Sequence, residues 1–128
     1  MESAVVKTIA GLLNARGGTL VVGVDDAGTP VGLQRDLTTL SRSNQDGYQQ
    51  FLRNLLNPTI GTDLCTRIDI EFPTVDGEDV CTLRVPASPR PVWISRGNEK
   101  LFYVRSGNTT QGLDSEQAHR YIQGHWPG

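Results

Sequence analysis

The 128-residue sequence predicts an α+β fold: a mixed, largely antiparallel sheet with about three helices, forming one domain over 1–128. Three observations lead there. Apolar residues recur at helical spacing in three separate stretches, and apolar and polar residues alternate on either side of an Asp76-Gly77 turn. Breaks rich in Gly, Pro and Asn keep every regular stretch short.

The elements follow in order. Val5, Val6, Ile9, Leu12 and Leu13 mark a helix already running at or near Met1, with Ser3 as a candidate cap and Gly17-Gly18 ending it. Leu20, Val21, Val22 and Val24 form a continuous apolar run, the pattern of a strand buried on both faces, which closes on Asp25 and Asp26. Residues 26–30 read as a turn, residues 31–33 as an edge piece, and residues 34–47 as weakly patterned, with a short helical turn near Leu37 and Leu40. Tyr48, Phe51, Leu52, Leu55 and Leu56 give a second amphipathic helix, which Asn57-Pro58 is expected to stop. Ile68, Ile70 and Phe72 then alternate with charged residues as a half-buried strand. A return strand from Asp79 to Val85 puts Cys81, Leu83 and Val85 on one face. Two further strands, 92–94 and 101–105, flank a loop over 95–100. A last helix is expected over 115–123, capped by Asp114 or Ser115, with Ala118, Tyr121 and Ile122 inward and Gly124 ending it.

Composition narrows the function. A formal charge of -2 lacks the basic excess of a chain that binds nucleic acid through overall charge, so any cationic surface must be local. No apolar stretch approaches the roughly 20 residues of a membrane span, and no secretory signal layout opens the sequence. A soluble, cytoplasmic protein with no membrane partner is expected. The hairpin turn places Cys81 opposite Phe72 and away from Cys65, so both cysteines are expected to be reduced and buried.

Several chemistries find no support. His119, His125, Cys65 and Cys81 show no metal-ligand spacing, and His119 reads as helix surface. No phosphate-binding glycine motif follows a strand, no nucleophilic triad can be assembled, and residues 75–79 lack a calcium-loop pattern. Asp25 and Asp26 point to opposite sides of their strand, so one of them at most faces a site. It serves either as a turn cap or as one member of a Mg²⁺ or Mn²⁺ cluster, which would require further carboxylates. Arg84, Arg90, Arg96, Lys100 and Arg105, interleaved with Trp93, Phe102 and Tyr103, could contact phosphates and stack bases, or form a solvated face over core aromatics. Residues 105–110 carry a cation followed by Gly, Asn108, Thr109 and Thr110, a candidate anion-binding turn.

Two separated segments resemble the Schlafen AlbA family, also described as a DNA-binding or divergent AAA domain. The first is Lys7-Thr8-Ile9-Ala10-Gly11-Leu12-Leu13-Asn14, followed by Gly17-Gly18-Thr19-Leu20-Val21-Val22-Gly23-Val24-Asp25-Asp26. The second is Val85-Pro86-Ala87-Ser88-Pro89-Arg90-Pro91-Val92, followed by Phe102-Tyr103-Val104-Arg105-Ser106-Gly107-Asn108-Thr109-Thr110.

The resemblance implies an α+β domain that binds DNA or RNA, often joined to other domains of a regulatory or defence protein. In nuclease members an aspartate at the end of the Gly-Val-Asp-Asp strand acts with two upstream glutamates, and Asp26 matches that aspartate as catalytic residue and metal ligand. The family's first strand, with its Glu-Phe-Lys element, has no counterpart before the first helix, so the chain is expected to be a fragment and inactive alone. The vacated sheet edge is expected to favour a homodimer. The leading expectation is a nucleic-acid-binding module acting through Arg84, Arg90, Arg96, Lys100, Arg105, Asn108 and Thr109, weakened when Arg90 and Arg105 are replaced together by Ala, and requiring no cofactor. One alternative is a metal-dependent endoribonuclease or phosphodiesterase using Mg²⁺ or Mn²⁺. The other is a non-catalytic nucleotide-binding or oligomerisation domain.

Overall fold

A computed structural model describes residues 2–22 and 45–126 of the chain. The described residues form four helices and eight strands: α1 (Glu2–Asn14), β1 (Gly18–Val22), α2 (Gln45–Ile60), α3 (Thr62–Cys65), β2 (Asp69–Glu71), β3 (Thr74–Val75), β4 (Glu78–Asp79), β5 (Cys81–Val85), β6 (Ile94–Arg96), β7 (Glu99–Ser106), β8 (Thr109–Leu113) and α4 (Ser115–His125). The fold is α+β and every strand pair is antiparallel. No helix among the described residues is long and apolar enough to cross a membrane.

Helix α1 is the centre of the fold. Its apolar positions Val5, Val6, Ile9, Leu12 and Leu13 are all buried, as their spacing predicts, and they share one core with α2, α3 and β5. The helix is described from Glu2, which places Ser3 inside its first turn. Gly11 lets the helix approach the second sheet closely: a Cβ there would stand 3.2 Å from both Arg105 N and Thr110 Cγ2.

The first sheet has the order β1-β5-β2, and the second has the order β6-β7-β8. In the first, Leu20 pairs with Leu83 and Ile70 pairs with Leu83 on its other side, while Val22 pairs with Cys81. Cys81, Leu83 and Val85 are buried, and Leu20, Val22 and Ile70 pack against the same core. The opposite face is exposed. Val21 is 38% accessible there, so β1 is buried on one face and not on two. The alternation of the pleat turns Thr19 and Val21 away from α1, which an apolar run in the sequence does not reveal.

Asp76 and Gly77 form the turn of β3 and β4 with φ of 52 and 80, the left-handed pair of a type I′ hairpin. Its register continues into β2 and β5, where Glu71 pairs with Thr82, and Val80 N–H donates to Pro73 O across the interruption that Pro73 makes. Cys65 and Cys81 are free and buried, and burial pushes the Cys81 thiol up to about 12.

Three boundaries differ from the sequence expectation. Helix α2 continues through Pro58 to Ile60. The proline disrupts one turn at a cost of about 3 kcal/mol, offset by burying Ile60, worth about 1.5–3 kcal/mol, and by Gly61, which carries the chain into α3. Arg53 then ties the two helices together by donating to Cys65 O and Ile68 O. The 95–100 segment is no open loop, because Ser95 pairs with Lys100 and Arg96 with Glu99 around a two-residue Gly97-Asn98 turn. Finally, α4 passes Gly124 to His125, and Trp126 N–H caps it by donating to Ile122 O. Its start is as expected: Asp114 accepts from Gln117 N–H while the Gln117 side chain accepts from Asp114 N–H, a full capping box.

Candidate functional site

Carbonyls at the end of α1 find donors both locally and from distant elements, and this arrangement builds the site. Ala15 and Gly17 N–H both reach Leu12 O, and Ser88 N–H donates to Leu13 O at 2.8 Å. Tyr121 Oη donates to Asn14 O at 2.5 Å, and His125 Nε2 lies 3.1 Å from Ala15 O, so Nε2 must carry the hydrogen. The side chain of Asn14 is fully buried. It accepts from Val92 N–H at 2.8 Å and donates to Val92 O at 3.0 Å and Tyr103 O at 2.8 Å. Since Ile94 pairs with Leu101, Val92 and Tyr103 are opposed two residues further along that register, and the Asn14 amide bridges them.

The end of α1, the β7–β8 hairpin and α4 enclose an open cleft of about 710 Å³. Residues 15–19 form one wall, residues 104–107 another, and Tyr121 and His125 a third. Arg16 and Arg105 therefore line the same space although 89 positions separate them in sequence. Arg105 is half-buried; it donates to Gly107 O and to Thr110 Oγ1, neutral oxygens that orient the guanidinium without cancelling its charge. Arg16 is exposed and makes no ion pair among the described residues. Burial pushes the Tyr121 phenol above its ordinary value while the Arg16 guanidinium pulls it the other way, so the hydroxyl stays a neutral donor near a cation.

The other expected residues lie elsewhere. Arg84 is on the exposed face of β5 and pairs with Glu71 at 3.5 Å. Arg90 donates through Nη2 to both Asp63 carboxylate oxygens at 3.1 Å. Arg96 and Lys100 are exposed at the β6–β7 hairpin, at the far end of the eight-residue β7, about 25 Å from the β7–β8 turn. Arg96 instead helps line a second cavity of about 270 Å³, where Lys7 Nζ sits 5.7 Å over the Tyr103 ring. Asn108 and Thr109 are exposed at the β7–β8 hairpin tip beside the cleft. Residues 105–110 form that hairpin, and Arg105, Ser106 and Gly107 line the cleft. Phe102 is buried, whereas Trp93, packed on it at 4.9 Å, is exposed. Asp26 lies outside the described residues. Among the described residues no group of three or more His, Cys, Asp or Glu could hold a metal ion.

The pairing of Arg90 with Asp63 carries its own prediction. The hydrogen bond from Arg90 holds the Asp63 carboxyl below its ordinary value of 3.8. A depressed native value makes the pair's contribution complete above the ordinary value and lost as pH falls through the lowered one. NMR titration of Asp63 should show a midpoint below 3.8, rising in Arg90→Ala. An unchanged midpoint in that variant would rule out the pairing in solution.

The fold and the two joined motifs agree with comparison to known proteins. The family described as Schlafen, AlbA_2 matches residues 1–114, and the chain belongs to it. The crystal structure of the DIP2311 protein from Corynebacterium diphtheriae superposes with a TM-score of 0.66 at 20% identity, over 97% of this chain and 22% of that one. That likeness concerns the fold, and the chain spans about a fifth of the length of that protein. No curated protein gives a significant match.

Proposed function

We propose that the chain is a nucleic-acid-binding module that holds phosphates in the cleft between α1, the β7–β8 hairpin and α4. One observation carries this reading: Arg16 and Arg105 line a single open cleft without a neutralising carboxylate among the described residues. Guanidinium groups suit phosphate oxygens because their planar forks donate in pairs. The cleft walls include Gly17, Gly18 and Gly107, so a bound backbone meets no bulky side chain there. A local cationic cleft also reconciles phosphate binding with a formal charge of -2.

The test is fluorescence anisotropy of labelled DNA and RNA oligonucleotides across a salt series. Arg16→Ala and Arg105→Ala should each weaken binding roughly tenfold and flatten the salt slope by about one ion. Arg84→Ala and Arg90→Ala, whose cations already have carboxylate partners, should change affinity little. The opposite ranking would move the interface away from this cleft.

A further inference from the structure

Helix α4 lies beyond residues 1–114 that the family profile covers, yet Tyr121 and His125 complete the cleft. We infer that α4 makes the cleft a site for single-stranded nucleic acid, the free face of the His125 imidazole stacking on one unpaired base while Arg16 and Arg105 hold neighbouring phosphates. This rests on the nucleic-acid reading above and specifies which form of the polymer the site takes.

The imidazole is fixed from three directions. One face stacks on Tyr121, with centroids 5.0 Å apart and planes 16° from parallel. Trp126 stands 4.5 Å from His125 at 77° and 6.0 Å from Tyr121. A Trp126 ring on the far face of the imidazole would be much more than 6.0 Å from Tyr121, so it flanks the stack at its edge. The Nε2 hydrogen is directed at Ala15 O. The face away from Tyr121 therefore remains for contact, and His125 is exposed in the cleft. Because the ring is already oriented, stacking requires little further ordering.

Its geometry favours one class of ligand. A duplex keeps its bases stacked on each other and offers a protein phosphates and groove edges, whereas an unpaired base offers its π face. With Nε2 engaged by a carbonyl, what the ring adds to the two arginines is a flat surface, which a phosphate alone would not use.

The experiment uses the 128-residue chain and three labelled probes of equal length: a thymine single strand, the same strand with abasic positions, and a duplex. The thymine strand should bind about tenfold more tightly than the abasic strand, as expected for one stacked base. His125→Gln keeps a hydrogen-bond donor and loses the ring, so it should bring thymine and abasic strands to equal affinity. His125→Phe keeps a ring and loses the donor, so the preference should persist. Equal affinity for thymine and abasic strands, a preference that survives His125→Gln, or tighter binding of the duplex overturns the inference while leaving phosphate binding intact. Failure of all three probes to bind at low salt overturns the nucleic-acid reading itself, and this inference with it.

Discussion

Replacing Asn14 with Ala is expected to lower the unfolding free energy by about 3–5 kcal/mol, because each buried backbone group left without a partner costs about 1–3 kcal/mol. Three such groups depend on the Asn14 amide: Val92 N–H, Val92 O and Tyr103 O. The side chain is completely buried, so water cannot substitute without opening the junction between α1 and the second sheet. Asn14→Asp refines the test. Its carboxylate could still accept from Val92 N–H but could not donate to the two carbonyls, and its charge would sit at the negative end of a helix dipole. Near neutral pH it should be at least as damaging as Ala. Its native carboxyl would be raised by burial, so stability should recover as pH falls and the group protonates. Urea titrations at two pH values read both effects. A loss under about 1 kcal/mol in both variants would mean that the ladder closes without the amide.

Much of the fold was legible because local chemistry and tertiary burial agree. The five apolar positions of α1 are all buried, the Asp76-Gly77 turn sets the register that places Cys81 opposite Phe72, and Asp114 with Gln117 caps α4. The errors arise where long-range burial overrides a local signal. Pro58 is a stop in isolation, yet buried Leu56 and Ile60 lie one turn apart on either side of it. Strand β8 went unread because Thr109-Thr110-Gln111-Gly112 has no apolar alternation, and its pairing with β7 supplies the order.

The site was less legible, for a related reason. Proximity in sequence grouped Arg84, Arg90, Arg96, Lys100 and Arg105, but charge neutralisation acts between residues distant in sequence. Asp63 engages Arg90 and Glu71 engages Arg84, and neither pairing has a sequence signature. Arg16 was missed because nothing beside it in the sequence suggests a site; only the fold brings it to Arg105. The place of His125 in the candidate cleft likewise has no sequence signal, since it comes from the ring packing of α4.

Gly17 joins the fold to the cleft, and Gly17→Ala is expected to cost about 3 kcal/mol, the sum of a left-handed backbone penalty of about 1–2 kcal/mol and overpacking of about 1–3 kcal/mol. The backbone there has φ of 76, and an added Cβ would stand 2.5 Å from Val85 O and 2.9 Å from Ala87 N and Pro86 C. These are backbone atoms, so no side-chain rotation relieves the clash. Gly107 supplies the control: its φ is 62, but a Cβ would meet nothing within 4 Å. Gly107→Ala should therefore show the conformational penalty alone, about 1–2 kcal/mol. The difference between the two variants measures the crowding where β1 departs from α1 beside residues 85–87. Relief of that crowding would shift Arg16 relative to Arg105, so Gly17→Ala should also weaken oligonucleotide binding under conditions where the variant remains folded. Equal stability losses at the two glycines, with binding unaffected by Gly17→Ala, would show that this close approach shapes neither the fold nor the cleft.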